Sequence, residues 1–259
     1  MMGDLKNISF ILFTVLWITS SEGSPKKWPS RFPRCYRDDP NINKCILEAT
    51  KKMKPFLQQG IPEFNIPTIS PFFVPEVTIQ HGSRGDSINY KVMLKNLQIF
   101  GFDTYKFDKF DFDVKNLQFQ SSMKMDAMYL KGHYIADGKI LSIPVSGNGT
   151  MSCNVTNTSG TLKQDGKIVL RKDNIKYLEL EPPVIHINVG KILDYHYNGL
   201  FDGNEVLAKA AEKIFKDYQE ELTEEVKPAI EKIIEEIVYD LQKKTTYKVP
   251  YDELYPIHG

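Results

Sequence analysis

An α+β fold is predicted for this 259-residue chain by two features, and a third fixes its compartment. Apolar and polar residues alternate with a period of two through the middle of the sequence, which is the pattern of half-buried strands. One apolar stripe at helical spacing occupies the region before the C-terminus. A pair of cysteines, Cys35 and Cys45, follows an apolar leader.

The leader reads MMGDLKNISFILFTVLWITSSEGS. Lys6 makes its start weakly basic, Ile8 to Ile18 form an apolar core, and Ser21 and Gly23 supply small residues for cleavage. Residues 1–23 are therefore expected to be a secretory signal peptide. A membrane-spanning helix needs about 20 apolar residues, and neither the leader nor any later stretch is that long, so no stable membrane insertion is expected. Residues 24–259 then form a single secreted, extracellular domain.

Secretion decides how the cysteines are read. Cysteines oxidise in the secretory compartment. Zinc would want a second pair of ligands at C-x₂₋₄-C or H-x₃₋₅-H spacing, and a thioredoxin-like couple wants C-x-x-C. Nine residues separate Cys35 from Cys45, so the pair is expected to be a disulfide, contributing ~2.5–3 kcal/mol by the loop-entropy argument. Cys153 is left over, either as a buried free thiol or as a partner for another chain.

Each element follows in order. Residues 24–34, SPKKWPSRFPR, are basic and Pro-rich and read as an extended arm. Asn41 or Asn43 then caps a helix. Ile42, Cys45, Ile46, Ala49 and Met53 share one face of it, while Lys51, Lys52 and Lys54 face water. Pro55 bends or ends it and Gly60-Ile61-Pro62 closes it. Residues 61–80 carry four prolines and read as extended chain with turns. Alternation begins near residue 87, with Ile88, Tyr90, Val92 and Leu94 on one face. Phe110, Phe112 and Val114 mark a second strand, Met128, Leu130 and Tyr134 a third, and Leu141, Ile143 and Val145 a fourth. Asp137-Gly138 and Asp165-Gly166 are signals for tight hairpins.

LKNLQIF (94–100) and VKNLQFQ (114–120) echo each other, and in both the apolar phase slips by one residue at Lys-Asn. A one-residue slip turns the opposite face inward. Paired bulges, which would curl the sheet, and a turn in each strand both account for it. From about residue 204 to 244, Leu207, Ala210, Ile214, Tyr218, Leu222, Val226, Ile230, Ile233, Ile237 and Leu241 recur at steps of three or four. The mean step of about 3.8 does not favour a coiled coil. A continuous helix would be ~60 Å long, kinked at Pro228, and its stripe needs a long apolar partner such as a curved sheet.

These segments together resemble the insect Takeout and juvenile-hormone-binding protein family. The resemblance rests on Cys35 and Cys45, the Gly60-Ile61-Pro62 turn, Ser70-Pro71, Gly132 with YIADGKILSIPVSGNG (134–149), NGLFDGNEVL (198–207), EVKPAIEKI (225–233) and VPYDELYP (249–256). It implies a long C-terminal helix wrapped by a highly curved antiparallel sheet, a super-roll enclosing a hydrophobic tunnel. It is similar to one half of the mammalian lipid-binding and bactericidal/permeability-increasing proteins. It also implies carriage of a small lipophilic ligand such as a juvenile hormone, another terpenoid or a fatty acid. Lys216-Asp217-Tyr218-Gln219 departs from the Asn-x-Asn-Trp of many relatives. The lack of a second disulfide leans toward the Takeout side of the family.

A tunnel along the helix would be lined by Tyr218, Leu222, Val226 and Ile230. Its strand walls would be Val92, Leu94, Phe112, Val114, Met128, Leu130, Tyr134, Leu141 and Ile143, with tyrosine hydroxyls orienting a polar head. The alternative function is an extracellular interaction glycoprotein on the same fold with a filled interior.

Other chemistry finds little support. There is no G-x-S-x-G, H-E-x-x-H, P-loop or calcium loop, so no enzyme, metal or cofactor is expected. His186 in VIHINV reads as a polar-face strand residue, and Asp111 and Asp113 as a solvated strand face. The 33 basic and 33 acidic residues balance, which gives no electrostatic case for nucleic acid. Arg84-Gly85-Asp86 reads as an ordinary loop, although integrin-type ligands use this tripeptide. A receptor or other extracellular protein partner stays open. Asn148, Asn154 and Asn157 are glycosylation acceptors and mark an exposed segment.

Overall fold

The computed structural model describes residues 25–82, 89–140, 143–172 and 174–258. The leader read as a signal peptide, Arg84-Gly85-Asp86, Ile88 and Leu141 lie outside the described residues. Helix α1 (Ile42–Gln59) is followed by strands β1 (Phe72–His81), β2 (Asn89–Phe100), β3 (Lys106–Asp113), β4 (Gln118–Ile140), β5 (Ile143–Leu170), β6 (Lys176–Leu180), β7 (Val184–Asn188) and β8 (Lys191–Tyr197). Helices α2 (Glu205–Asp217), α3 (Gln219–Thr246) and α4 (Tyr251–Leu254) complete the chain.

The spine is the antiparallel pair β4–β5, in register from Gln118 opposite Asp165 to Ile140 opposite Ile143. β2 and β3 both pair with β4, while β8, β7 and β6 take successive parts of β5. β1 adds to β2. The result is a curled, all-antiparallel half-barrel beside the long C-terminal helix.

Neither Asp-Gly pair is a hairpin. Asp137 and Gly138 lie inside β4, opposite Ser146 and Val145. Gly138 is there because β2 comes close: a Cβ would sit 2.3 Å from the Asn89 carbonyl oxygen and 2.5 Å from the Tyr90 Cα. Asp165 and Gly166 lie inside β5, where the strand passes from pairing with β4 to pairing with β6. β1 occupies part of the stretch expected to be irregular. Pro75 drops out of the register between Val74 and Glu76, and β1 is an edge strand of the sheet, where proline is tolerated.

The two Lys-Asn-Leu echoes have different outcomes. In β2 the register with β4 shifts between Lys95 and Gln98, with Asn96 at φ 51°, which is a bulge. At the second echo, β3 ends at Asp113 and β4 begins at Gln118, opposite it. That echo is a tight turn, with Leu117 at φ 54°.

The C-terminal helix is broken at Tyr218, whose φ of −118° and ψ of 27° leave the helical region. Pro228 stays within α3. Asn204 caps α2, its side-chain oxygen accepting from the Val206 and Leu207 N–H groups. The inward face of α2 is Ala208, Ala211 and Phe215, one residue on from the expected Leu207 and Ala210. One residue is about 100° of helix rotation, so Leu207 is 44% exposed and Tyr218 46% exposed.

α1 matches its expected bounds and buries Ile42 and Ile46. Asn43 does not cap it. Its side-chain oxygen accepts from the Phe112 N–H at 2.8 Å instead. Lys54 is half-buried, its ammonium donating to the Tyr105 carbonyl at 2.7 Å. Cys35 and Cys45 are disulfide-bonded, tying the arm to the helix start. The arm is not free: Phe32 packs with Ile61, Phe64 and Val249 in a buried cluster, and the Lys26 N–H donates to the Lys248 carbonyl. Arm and C-terminus close this end together.

Candidate functional site

Between the sheet and the α2–α3 junction lies a cavity of about 300 Å³. β2 contributes Tyr90, Val92 and Leu94, which alternate inward. β4 contributes Tyr134 and Ala136, and β5 contributes Val145 and Met151. The helical wall is Phe215 from α2 with Gln219, Leu222 and Val226 from α3. Residues 219, 222 and 226 recur at steps of three and four, which is one face of α3, and Phe215 joins them from the end of α2 across the break at Tyr218.

Its polar side chains are four tyrosines together with Asp137, Gln219, Thr223 and Glu225. The Tyr134 hydroxyl donates to the Asn198 carbonyl at 3.0 Å, and the Tyr195 hydroxyl donates to the Glu212 carbonyl at 3.1 Å, linking β8 to α2. Tyr197 stacks edge-on against Tyr134, with ring centroids 5.6 Å apart. The Tyr90 phenol is pushed up to about 12, first by burial and then by the negative charge of Glu225, which also lines the cavity. These phenols stay protonated at neutral pH, so each can donate as well as accept.

Five residues expected to line a tunnel meet at this cavity: Val92, Leu94, Tyr134, Leu222 and Val226. Others lie elsewhere. Phe112 is 3% exposed and stacks on Phe119 at 4.3 Å in a buried cluster at the α1 end, where Val114 also packs. Met128 and Leu130, both partly buried, pack against a second cluster with the buried Leu97 and Met125. Tyr218 points away because the helix breaks there. Ile230 lies one turn beyond Val226 and is not among the lining residues. Ile143 belongs to β5, and its side chain is outside the described residues, as is Leu141 altogether.

Ile192, Tyr195 and Tyr197 of β8 also line the cavity, and alternation did not reveal them. Asp194 has φ 49° and the β5–β8 register shifts between Ser152 and Asn154, so the apolar phase is broken inside the strand. The dense Tyr content of KILDYHY is the one signal that could have found it.

The glycosylation acceptors are in the body of β5 rather than in an exposed hairpin. Asn148 and Asn157 are exposed, and the Asn154 amide donates to an Asp194 carboxylate oxygen at 3.1 Å. His186 is on the outer, polar side of β7, as its alternation with Ile185 and Ile187 implied. No described helix is long and apolar enough to cross a membrane.

The sequence model of the haemolymph juvenile hormone binding protein family matches residues 11–256. Among curated proteins, the chain is similar to the circadian clock-controlled protein daywake of Drosophila yakuba. The two are 21% identical over 246 residues, which cover 92% of each chain. The Drosophila melanogaster daywake is 20% identical over the same shares. Among solved structures, the chain is similar to the crystal structure of Epiphyas postvittana Takeout 1. That match has a TM-score of 0.72 at 19% identity and covers 87% of this chain and all of the other.

Proposed function

We propose that this chain, which belongs to the haemolymph juvenile hormone binding protein family, is a secreted carrier that holds a small lipophilic molecule in the cavity between sheet and helix. Juvenile hormone, another terpenoid and a fatty acid are the classes considered. The observation that carries the reading is an interior that is not filled: an apolar cavity of about 300 Å³ with tyrosine hydroxyls in its wall. A protein acting only through surface contacts has no need of it, because interiors otherwise close-pack. The volume lies at the lower edge of the ~300–1,000 Å³ usual for ligand pockets.

Binding would come from apolar burial. A ligand that removes ~400 Å² from water gains ~10 kcal/mol gross at ~25 cal/mol per Å². After the costs of association, micromolar or better affinity is expected. Tyrosine hydroxyls would orient the head group without supplying most of the energy.

The test is displacement of a fluorescent lipophilic probe from delipidated protein, with mass spectrometry of solvent extracts to identify what co-purifies. Val226→Asp, a charge in the helical wall, is expected to weaken binding at least tenfold while circular dichroism reports a folded protein. A folded wild-type protein that binds no lipophile below about 100 µM would sink the reading.

A further inference from the structure

The outer face of the sheet carries a hollow of its own. On β5, Met151 lines the cavity, and Cys153 and Val155 are buried. Alternation therefore turns Asn148, Thr150, Ser152 and Asn154 to the opposite face. Thr150 and Ser152 are short, while the strands on either side carry longer side chains. Lys131 and His133 on β4 stand opposite Ser152 and Thr150. His196 on β8 also stands opposite Ser152, and the Asn198 amide donates to the Thr150 hydroxyl at 3.0 Å. A low floor between tall walls makes a trough of about 380 Å³.

The chemistry of the trough suits a sugar. Among the described residues that line it there is no carboxylate, and Met151 is the one aliphatic side chain. The others supply amides, hydroxyls, imidazoles and a single ammonium. Amides, hydroxyls and imidazoles both donate and accept, as the hydroxyls of a neutral sugar do. One ammonium is a thin anchor for an anion, and an apolar ligand would leave the polar groups unpaired.

A glycosylation acceptor stands at each end. Asn148 opens the run Asn148-Gly149-Thr150, whose own threonine is in the trough. It is exposed, and two residues of strand, about 6.6 Å, separate it from Thr150. Asn154, at the far end, is half-buried and its amide already donates to Asp194 at 3.1 Å.

We propose that the trough is the seat of an N-linked glycan carried by Asn148, whose first sugars lie along Thr150 and Ser152 between Lys131 and His196. The bond forms from the Asn148 amide nitrogen to the anomeric carbon of a polyprenyl-diphosphate oligosaccharide. The nitrogen gives up one proton and the lipid diphosphate leaves. Sugars in this place bridge β4 and β8 across β5 and brace the strands behind the cavity. The proposal rests on the secreted reading and is independent of what the cavity holds.

The test uses the full chain secreted by cells that keep oligomannose glycans. Asn154→Gln with Asn157→Gln leaves Asn148 as the acceptor. Asn148→Gln with Asn154→Gln leaves Asn157, which is exposed and outside the trough. An endoglycosidase that cuts between the two core N-acetylglucosamines reports access, with release followed by mass spectrometry. From native protein the Asn148 glycan is expected to leave about tenfold more slowly than the Asn157 glycan, the effect of roughly two hydrogen bonds. After denaturation the two rates should meet. Lys131→Ala with His196→Ala, both at exposed positions, should remove most of the native difference when added to the variant that keeps Asn148. If that combination does not fold, Lys131→Ala alone should still speed release about threefold. Secreted protein unmodified at Asn148, equal native rates, or slow release that the wall variants leave unchanged overturns the proposal while the secreted carrier stands. Failure of the chain to be secreted overturns the secreted reading and the proposal with it.

Discussion

Gln164 and Gln242 hold each other through two amide hydrogen bonds, each Nε2 donating to the other's Oε1 at 2.9 Å. Gln164, 6% exposed, also donates to the Glu181 carbonyl at 2.8 Å. One buried amide thus joins β5, α3 and the residue just past β6. Truncating one partner strands the other's polar atoms, which costs about 1–3 kcal/mol each time. Gln164→Ala is expected to lower stability by that amount in urea titrations. Combining Gln164→Leu with Gln242→Leu should cost less than the two single changes summed.

A second contact between helix and sheet depends on matched repeats. Glu231 and Glu235 of α3 accept from the Ile187 and Ile185 N–H groups of β7, each at 2.9 Å. Four residues of helix rise about 6 Å and two residues of strand about 6.6 Å, so the carboxylates meet successive outward N–H groups of the strand edge. Glu235→Ala should cost ~1.5–3 kcal/mol for the lost charge-assisted bond. It should also speed amide hydrogen exchange at Ile185, while Glu235→Gln keeps much of the protection. Unchanged exchange in the alanine variant would mean that the edge does not depend on this carboxylate.

Burial makes the protein sensitive to alkali. The Cys153 thiol is pushed from its ordinary 9.0 to about 11, and burial pushes the Tyr105 phenol from 10.0 to about 12, as it does Tyr90. The folded state holds these protons longer than the unfolded chain does. Their contribution to stability is complete below pH 9 and is lost as pH rises, over 9 to about 11 for Cys153 and over 10 to about 12 for the tyrosines. Denaturation midpoints should be level from pH 7 to 9 and fall above it. At pH 8 the folded thiol should react with a disulfide reagent about 100-fold more slowly than the unfolded one. Equal rates would contradict the burial.

The Cys35–Cys45 disulfide closes a ten-residue separation between an arm and a helix that both pack elsewhere. Replacing both cysteines with serine is expected to lower stability by ~2.5–3 kcal/mol by the loop-entropy argument without abolishing the fold. The check is urea unfolding of the double variant beside the oxidised wild type.

Glycans are expected on the outer face of β5, at Asn148 or Asn157, both exposed. Glycosidase treatment of protein secreted from insect cells should lower its mass, and Asn148→Gln with Asn157→Gln should remove most of that shift. A mass unaffected by the enzyme would count against modification there.

What the sequence determined alone was whatever is written in local periodicity. The bounds of α1, the strand character of β2 and β3, the helical C-terminus and the disulfide were all legible, because apolar spacing and short-range chemistry decide them. The tertiary structure decided everything that depends on which surface a residue meets. Lys-Asn-Leu makes a bulge in β2 and a turn after β3, since the first lies against β4 and the second joins β3 to it. Asp137-Gly138 could have been a hairpin by its own preferences, yet it is mid-strand because β2 needs a neighbour with no Cβ. The apolar stripe of the C-terminal region was visible, but its orientation on α2 was not, because a single non-helical residue at Tyr218 resets the face. Phenylalanine, leucine and methionine fill a core and line a cavity equally well. Which they do at Leu94 and which at Phe112 follows only from how completely the opposite wall fills the space.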